Sequence, residues 1–250
     1  AIAGDIAYMM GAAVFGATRT LVINTMLELS GSRFGRNLIT VGGVNFDIDK
    51  TLSDKIISIL EKVSVDVERT AKTMLKSPTV ASRLEKTGIV SEESAINLGL
   101  TGMAARASGV NIDIRFDFPD KWYKGIENRS IKTEGDVFSR TRLRYKEIKQ
   151  SIYIIKKFLK LLEEYSSENI VTELNPIQPN SFVVSATEGW RGEIIHIAIT
   201  DETGNLSRYK IKDASFNNWY ALAMAVMNNG ISDFPLCNKS FNLSYCGNDL

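Results

Sequence analysis

The feature that most constrains this 250-residue chain is a spacing. Leu52, Ile56, Ile59, Val63, Val67, Ala71 and Met74 recur at steps of three and four, which places them on one face of a helix over residues 52–75. Asp54, Lys55, Glu61, Lys62, Glu68, Arg69 and Lys72 occupy the other faces, and Pro78 closes the run. The same rhythm returns in residues 136–165, where Ile148, Ile152, Ile155, Leu159 and Leu162 form a seam opposite Lys156, Lys157, Lys160, Glu163 and Glu164. Two long helices with one apolar stripe each bury those stripes against one another, so the pattern predicts an antiparallel bundle.

Other segments fill in around that pair. Residues 5–29 read as one helix stopped at Ser30-Gly31. Leu21, Val22, Ile23, Met26, Leu27 and Leu29 make it apolar on most sides, which predicts a central position. Residues 1–17 are apolar except for Asp5, somewhat shorter than the roughly 20 apolar residues of a membrane span, and fit a buried helix of small residues. Residues 32–44 read as a loop in which Gly42-Gly43 marks a tight turn. Ser91 caps a short helix to Leu98, with Glu92 and Glu93 in its positive first turn. The period changes to two from Asn180, giving strands at 181–187, 193–200 and 206–212, the last two joined by a hairpin loop over 201–205. Ser215 then caps a helix to Asn228.

In the tail, Phe241, Leu243 and Tyr245 alternate with polar residues and predict an extended segment, while Pro235 pushes Phe234 out of helical space. The tail's apolar density predicts that it packs into the core. The fold class is mainly α (α+β): a long-helix bundle over 1–170, with a small antiparallel sheet and the tail in an α+β region over 171–250. The chain reads as one structural unit and as a portion of a longer chain.

Net charge is +1 with no basic block, which argues against nucleic acid as a partner. Cys237 and Cys246 are the two thiols, nine positions apart, which is not a C-x-x-C clip. With His196 as the one histidine they cannot fill a four-ligand soft-metal site, so no metal is expected, and both cysteines read as small buried hydrophobes in a reducing compartment. Residues 101–119 are the densest in chemistry: Arg106 and Arg115 bracket Asp113, with Asp117 beyond. They read either as a loop stapled by ion pairs or as a functional polar network.

Several blocks carry a resemblance. The stretch SGSRFGRNLITVGGVNFDI is similar to a T-G-x-R…x-G-G-V-x-x-D segment. Leu100-Thr101-Gly102, Arg106, Ser108-Gly109, Asp113 and Arg115 match G-x-T-G-P-x-x-R-x-S-G-x-x-x-D-x-R, with Met103 in place of the proline. Thr133-Glu134-Gly135-Asp136 and Arg140 follow, then Glu188 to Glu193 as E-x-x-R-G-E, and Asp213 to Trp219 as P-S-F-x-N with Ala214 for the proline. In this order the chain resembles the large-subunit family shared by nickel–iron hydrogenases and the 49-kDa-type, quinone-site subunit of complex I. Within it the blocks look most like the energy-converting, membrane-bound, formate-hydrogenlyase-type large subunits. Hydrogenases of the family end near S-F-D-P-C-x-x-C, whose thiolates bind the metal. Placing Ser240-Phe241 on S-F puts Ser244 and Gly247 on the two ligand positions, with Cys246 one residue short. Hydroxyl and glycine are poor replacements for soft thiolate ligands.

The resemblance implies an oxidoreductase-family subunit at the cytoplasmic face of a membrane, partnered by an iron–sulfur small subunit and membrane-arm subunits. It implies no cofactor held by this chain, iron–sulfur clusters on partners, and no nickel–iron centre. Two functions follow as expectations. In the first, the chain is catalytically silent and serves assembly and redox-to-ion coupling through Arg106, Asp113, Arg115, Glu134, Asp136, Arg140, Glu188 and Arg191. In the second, it handles quinone or another acceptor, with Asp5 near the quinone.

Overall fold

The computed structural model describes residues 1–126, 132–164 and 169–246. In chain order its elements are α1 Ile2–Asp5, α2 Met9–Ser30, β1 Ile39–Thr40, β2 Gly43–Val44, α3 Lys50–Lys76, α4 Pro78–Leu84, α5 Glu92–Asn97, α6 Gly102–Ala107, α7 Ile114–Asp117, α8 Val137–Glu164, β3 Phe182–Gly189, β4 Gly192–Thr200, β5 Leu206–Lys212, α9 Ser215–Ala225 and α10 Phe234–Phe241. The class is mainly α with small antiparallel sheets, as the periodicities predict. The chain divides into two compact units, one of Tyr8–Met74 with Glu147–Asn175, the other of Ala1–Ala7, Leu75–Lys146 and Pro176–Leu250.

In the first unit, α3 buries Ile56, Leu60, Val63, Val67, Ala71 and Met74. The stripe is the predicted one, rotated slightly so that Leu60 replaces Ile59 as the buried member. Lys149 pairs with Glu68, Lys156 with Glu61 and Lys50 with Glu163, so positions ascend on α8 as they descend on α3 and the two helices are antiparallel. The α8 seam differs from the prediction. Ile152, Ile154 and Leu159 are buried, whereas Ile148, Ile155 and Leu162 are exposed. Apolar residues on α8 occur at two overlapping phases of the same rhythm, and packing selects one.

The expected single helix over 5–29 is two helices, because Ala7 turns left-handed at φ +57° between α1 and α2. The small residues around Gly4 offer few contacts to hold a continuing turn; α1 lies against α10, and Ala3 is buried. The predicted stop holds: Gly31 is left-handed at φ +67° and its N–H closes on the Leu27 carbonyl. The predicted central position does not hold. Only Gly11, Thr18 and Ser30 of α2 are buried, since apolar residues all around a helix exceed what one neighbouring layer covers. By length and composition alone α2 could cross a membrane. The Gly42-Gly43 turn is real: Gly42 has φ +90° and joins β1 to β2.

In the second unit, β3, β4 and β5 form an antiparallel sheet in sequence order. The β3–β4 turn is Trp190-Arg191, closed by the Gly189–Gly192 pair, and the 201–205 loop closes β4 on β5 with Gly204 at φ +84°. Ser215 is the first residue of α9 rather than its cap: Ala214 holds the N-cap position, Asp213 Oδ1 accepts from the Ser215 N–H at 2.7 Å, and the helix stops at Ala225. Residues 234–241 form a helix although Pro235 argued against one there, while the segment predicted as extended lies outside helix and strand beyond Phe241. Pro235 sits in the first turn of α10, where its missing N–H costs nothing, and Phe234 takes helical angles. The tail does enter the core: Leu236, Cys237, Ser240 and Phe241 are buried. Cys237 is fully buried, but Cys246 is exposed, because α10 ends at Asn242 and the chain turns outward. Part of the polar 101–119 stretch is also helical, as α6 and α7.

Candidate functional site: two buried guanidinium clusters

α6 is buried along its whole length and starts on Gly102 at φ +66°. A Cβ there would strike the Arg191 carbonyl and the Gly192 backbone, so glycine is what lets α6 abut the β3–β4 turn. Asn218 of α9 ties the same junction. Its Oδ1 accepts from the Thr101 N–H at 3.2 Å, and its Nδ2 donates to the Thr101 carbonyl at 3.3 Å and the Arg191 carbonyl at 3.4 Å. Sequence reasoning missed Asn218 as a site residue, although it falls in the P-S-F-x-N block.

This junction aims Arg106, in the last turn of α6, at two carboxylates from distant parts of the chain. Its Nη1 lies 3.0 Å from Glu188 Oε1 and 3.3 Å from Asp113 Oδ2, and donates to the Ile112 carbonyl at 2.9 Å. The three side chains are 4% exposed or less. Asp113 caps α7 and is forked by Arg115, with Nη2 to Oδ2 at 2.7 Å and Nε to Oδ1 at 2.9 Å. Glu188 Oε2 accepts from the Ile114 N–H at 3.3 Å, and the Asp113 N–H donates to Asp117 Oδ2 at 2.8 Å. Burial pushes the Glu188 carboxyl above its usual range; Arg106 pulls the other way but does not offset it. Four of the eight predicted polar residues, Arg106, Asp113, Arg115 and Glu188, thus form one network.

Asp136 and Arg140 form a second cluster. Asp136 opens α8, accepting from the Ser139 N–H at 2.7 Å and the Lys86 N–H at 2.9 Å. Arg140 is completely buried and reaches no carboxylate among the described residues. It donates from Nε to Ser240 Oγ at 2.8 Å, from Nη1 to the Gly135 carbonyl at 2.6 Å and from Nη2 to the Gly88 carbonyl at 2.8 Å. Its guanidinium also sits 4.3 Å from the Phe241 ring centroid. Burial pulls Arg140 down to about 10, which leaves it charged at neutral pH. Burial raises the neighbouring Cys237 thiol. Glu134 is exposed and reaches this cluster only through the Ser139 hydroxyl, at 3.1 Å. Its carboxylate is held low by its own backbone N–H, helped by Ser139 and Thr133.

Arg191 joins neither cluster. It donates from Nε to the Asn242 carbonyl at 2.6 Å and lies 5.0 Å from the Trp190 ring centroid. Arg144, one turn beyond Arg140, sits on the same ring at 4.8 Å and donates to the Ser240 and Phe241 carbonyls at 2.8 Å each. Trp219 Nε1 donates to the Ser244 carbonyl at 3.2 Å, so cations and indole together hold the end of α10 and the turn beyond it.

The two predicted ligand positions differ in standing. Gly247 lies outside the described residues. Ser244 is held through its backbone, its N–H donating to Ser215 Oγ at 3.0 Å, and its hydroxyl lies 3.2 Å from Cys246 Sγ. One hydroxyl and one exposed thiol do not fit a soft-metal centre, and no cluster of three or more His, Cys, Asp or Glu suited to a metal occurs among the described residues. Asp5 ends α1 and is exposed.

The fold is mainly helical, and its densest polar chemistry is gathered around two buried arginines, Arg106 and Arg140. The sequence matches the family of the respiratory-chain NADH dehydrogenase, 49 Kd subunit, over residues 5–178. This chain belongs to that family. It is 28% identical over 227 residues to hydrogenase-4 component G of Escherichia coli, covering 90% of this chain and 38% of that protein. It is 28% identical over 228 residues to the carbon monoxide-induced hydrogenase of Rhodospirillum rubrum, covering 90% and 62%. NADH-quinone oxidoreductase subunit 4 of Thermus thermophilus is 28% identical over 243 residues, covering 86% and 59%. The chain therefore spans less than two thirds of the length of these relatives. A chain from the structure of the membrane-bound sulfane sulfur reductase, an archaeal respiratory membrane complex, shares the fold with a TM-score of 0.90 at 20% identity, covering 100% of this chain and 69% of that one.

Proposed function

We propose that this chain is the large subunit of a membrane-associated respiratory complex at the cytoplasmic face. In this reading it binds no nickel–iron centre through its C-terminal tail, and it serves assembly and the coupling of electron transfer to ion movement. An iron–sulfur small subunit and membrane-arm subunits are its partners, and the clusters sit on them. The relatives' names support the setting: hydrogenases, an NADH-quinone oxidoreductase and a sulfur reductase share the scaffold, so the scaffold does not fix the acceptor.

The observation that carries the reading is a contrast. The soft ligands expected at the tail are replaced by the Ser244 hydroxyl, while the Arg106–Asp113–Glu188 network is fully partnered and buried. Buried ion networks are costly to keep, and one holding a carboxyl raised by burial can take up or release a proton when a nearby charge changes. In this reading Glu188 is the group that exchanges the proton, and Arg106, 3.0 Å away, orients its carboxyl.

Two measurements on the complex from its native source test this. Elemental analysis should find nickel well below one atom per complex; stoichiometric nickel on this subunit overturns the metal-free part. The Glu188→Gln complex should keep electron transfer while losing ion movement by roughly tenfold or more. Unchanged ion movement in a correctly assembled Glu188→Gln complex overturns the coupling part.

A further inference from the structure

Asn218 sits in the first turn of α9, is 1% exposed, and uses its amide on two other elements at once. It holds Thr101, the residue before α6, by both its N–H and its carbonyl, and it also holds the Arg191 carbonyl of the β3–β4 turn. A buried amide is costly unless its donors and acceptor are matched, and a matched one fixes the backbones it joins. The neighbouring Asn217 grips one side only. Its Nδ2 donates to the Leu98 carbonyl at 3.2 Å and the Gly99 carbonyl at 2.7 Å, and it reaches nothing on the β3–β4 turn.

Two short, stiff arms leave the Asn218 clasp. Arg106 lies five residues after Thr101, so the rise of α6 carries it about 7.5 Å from that anchor. Glu188 lies three residues before Arg191, near the end of β3. The arms meet again where Arg106 Nη1 stands 3.0 Å from Glu188 Oε1. Gly102 and Gly192 let the clasped backbones approach, since a Cβ on either would strike the other strand of the junction. We propose that Asn218 is a positioning residue for the buried ion network: by clasping the start of α6 to the β3–β4 turn, it sets the separation of the Arg106 guanidinium from the Glu188 carboxyl. This role rests on the reading of Glu188 as the proton-exchanging group.

An amide suits the role because it is neutral. The charged groups facing Glu188 are Arg106 from α6, Asp113 with Arg115 behind it at the start of α7, and Glu193 across β4, which Lys212 of β5 holds at 3.5 Å. Burial raises the proton affinity of Glu188, and Arg106 opposes burial. Opening the clasp weakens that opposition, so Glu188 keeps its proton to a higher pH.

Infrared titration of the purified native complex tests this, through the protonated-carboxyl band that disappears in Glu188→Gln. Asn218→Ala should move the midpoint of that band upward by about one pH unit, a tenfold change in proton affinity. Asn217→Ala, which loses two hydrogen bonds from the same helical turn without touching Arg191, should leave the midpoint in place. Asn218→Asp and Asn217→Asp are a second pair of nearly unchanged volume, read where the alanine variants do not assemble. The first gives up the paired donation to the Thr101 and Arg191 carbonyls and should move the midpoint upward. The second adds the same charge one residue away and should not. An unmoved midpoint in the Asn218 variants, or equal movement in both members of a pair, overturns the positioning role. Ion movement unchanged in Glu188→Gln overturns the functional reading alone, while a band shifted in Asn218→Ala and not in Asn217→Ala still supports the positioning of Glu188 through Asn218.

Discussion

Arg106 and Arg140 are buried in the same compact unit and are satisfied in opposite ways. Arg106 faces titratable partners, the carboxylates of Asp113 and Glu188. Arg140 faces a hydroxyl, two peptide carbonyls and an aromatic ring. None of Arg140's side-chain hydrogen-bond acceptors changes charge with pH, so these bonds are a fixed fastener joining the start of α8 to α10 and to the 85–90 loop. The Arg106 cluster can change its net charge by one proton without moving its backbone. The difference separates a structural use of a buried cation from one suited to function: acceptors that cannot titrate make a staple, and acceptors that can make a proton-holding site.

The comparison is broken most directly at Arg140. Arg140→Ala leaves the Gly88 and Gly135 carbonyls and the Ser240 hydroxyl without their charged donor. Hydrogen bonds to charged groups contribute about 1.5–3 kcal/mol each, with losses that do not add fully, so a loss of about 4–5 kcal/mol is expected in urea unfolding. It should be the same at pH 5 and pH 8 to within roughly 1 kcal/mol, because no hydrogen-bond acceptor of Arg140 titrates there. Arg106→Ala strands two buried carboxylates and should cost about 3–5 kcal/mol near neutral pH. This loss should shrink on acidification, as Glu188 takes up a proton and no longer needs a cation. Equal pH profiles for the two variants would erase the distinction between staple and proton-holding site. A smaller probe is Ser240→Ala, which removes one of Arg140's acceptors and the Ser240 hydroxyl's own bond to the Cys237 carbonyl, at 2.7 Å. It should cost about 2 kcal/mol, independent of pH.

How much of this can be read from the sequence depends on the range of each contact. The α3 stripe is legible because its apolar positions keep a single phase. The α8 seam misleads because Ile148, Ile155 and Leu162 keep the same rhythm as Ile152 and Leu159, and only tertiary packing chooses between the phases. Pro235 reads as a helix breaker, yet the rule that excludes proline from a helix interior admits it in the first turn. The Arg106–Asp113 pair is legible within one stretch, and Glu188 stands out with its turn. That these three meet while Arg140 turns to α10 depends on Gly102, Gly88 and Gly135 letting backbones approach, which no local pattern announces. Arg144 carries a usable signal: it lies one helical turn after Arg140 and so faces the same tail.

The subtlest probe concerns the sign of a pH slope. Glu188 has its folded pKa raised above the ordinary 4.5, with burial the largest cause. In the window above 4.5 the folded chain holds this proton more firmly than the unfolded chain, so stability falls as pH rises through the window. Glutamine mimics the protonated carboxyl and cannot lose a proton. Glu188→Gln should therefore match the wild type below about pH 4.5 and gain on it steadily toward neutral pH, in urea unfolding at matched ionic strength. Asp233 provides the opposite sign within the same unit. The Arg83 hydrogen bond holds its carboxyl low, so its contribution is present above the ordinary 3.8 and disappears as pH falls. Asp233→Asn should consequently lose most against the wild type at neutral pH and converge on it in acid. Curves that slope the same way for both variants would mean that Arg106 outweighs burial at Glu188. The network would then be a permanently ionised pair, as fixed in charge as the Arg140 cluster.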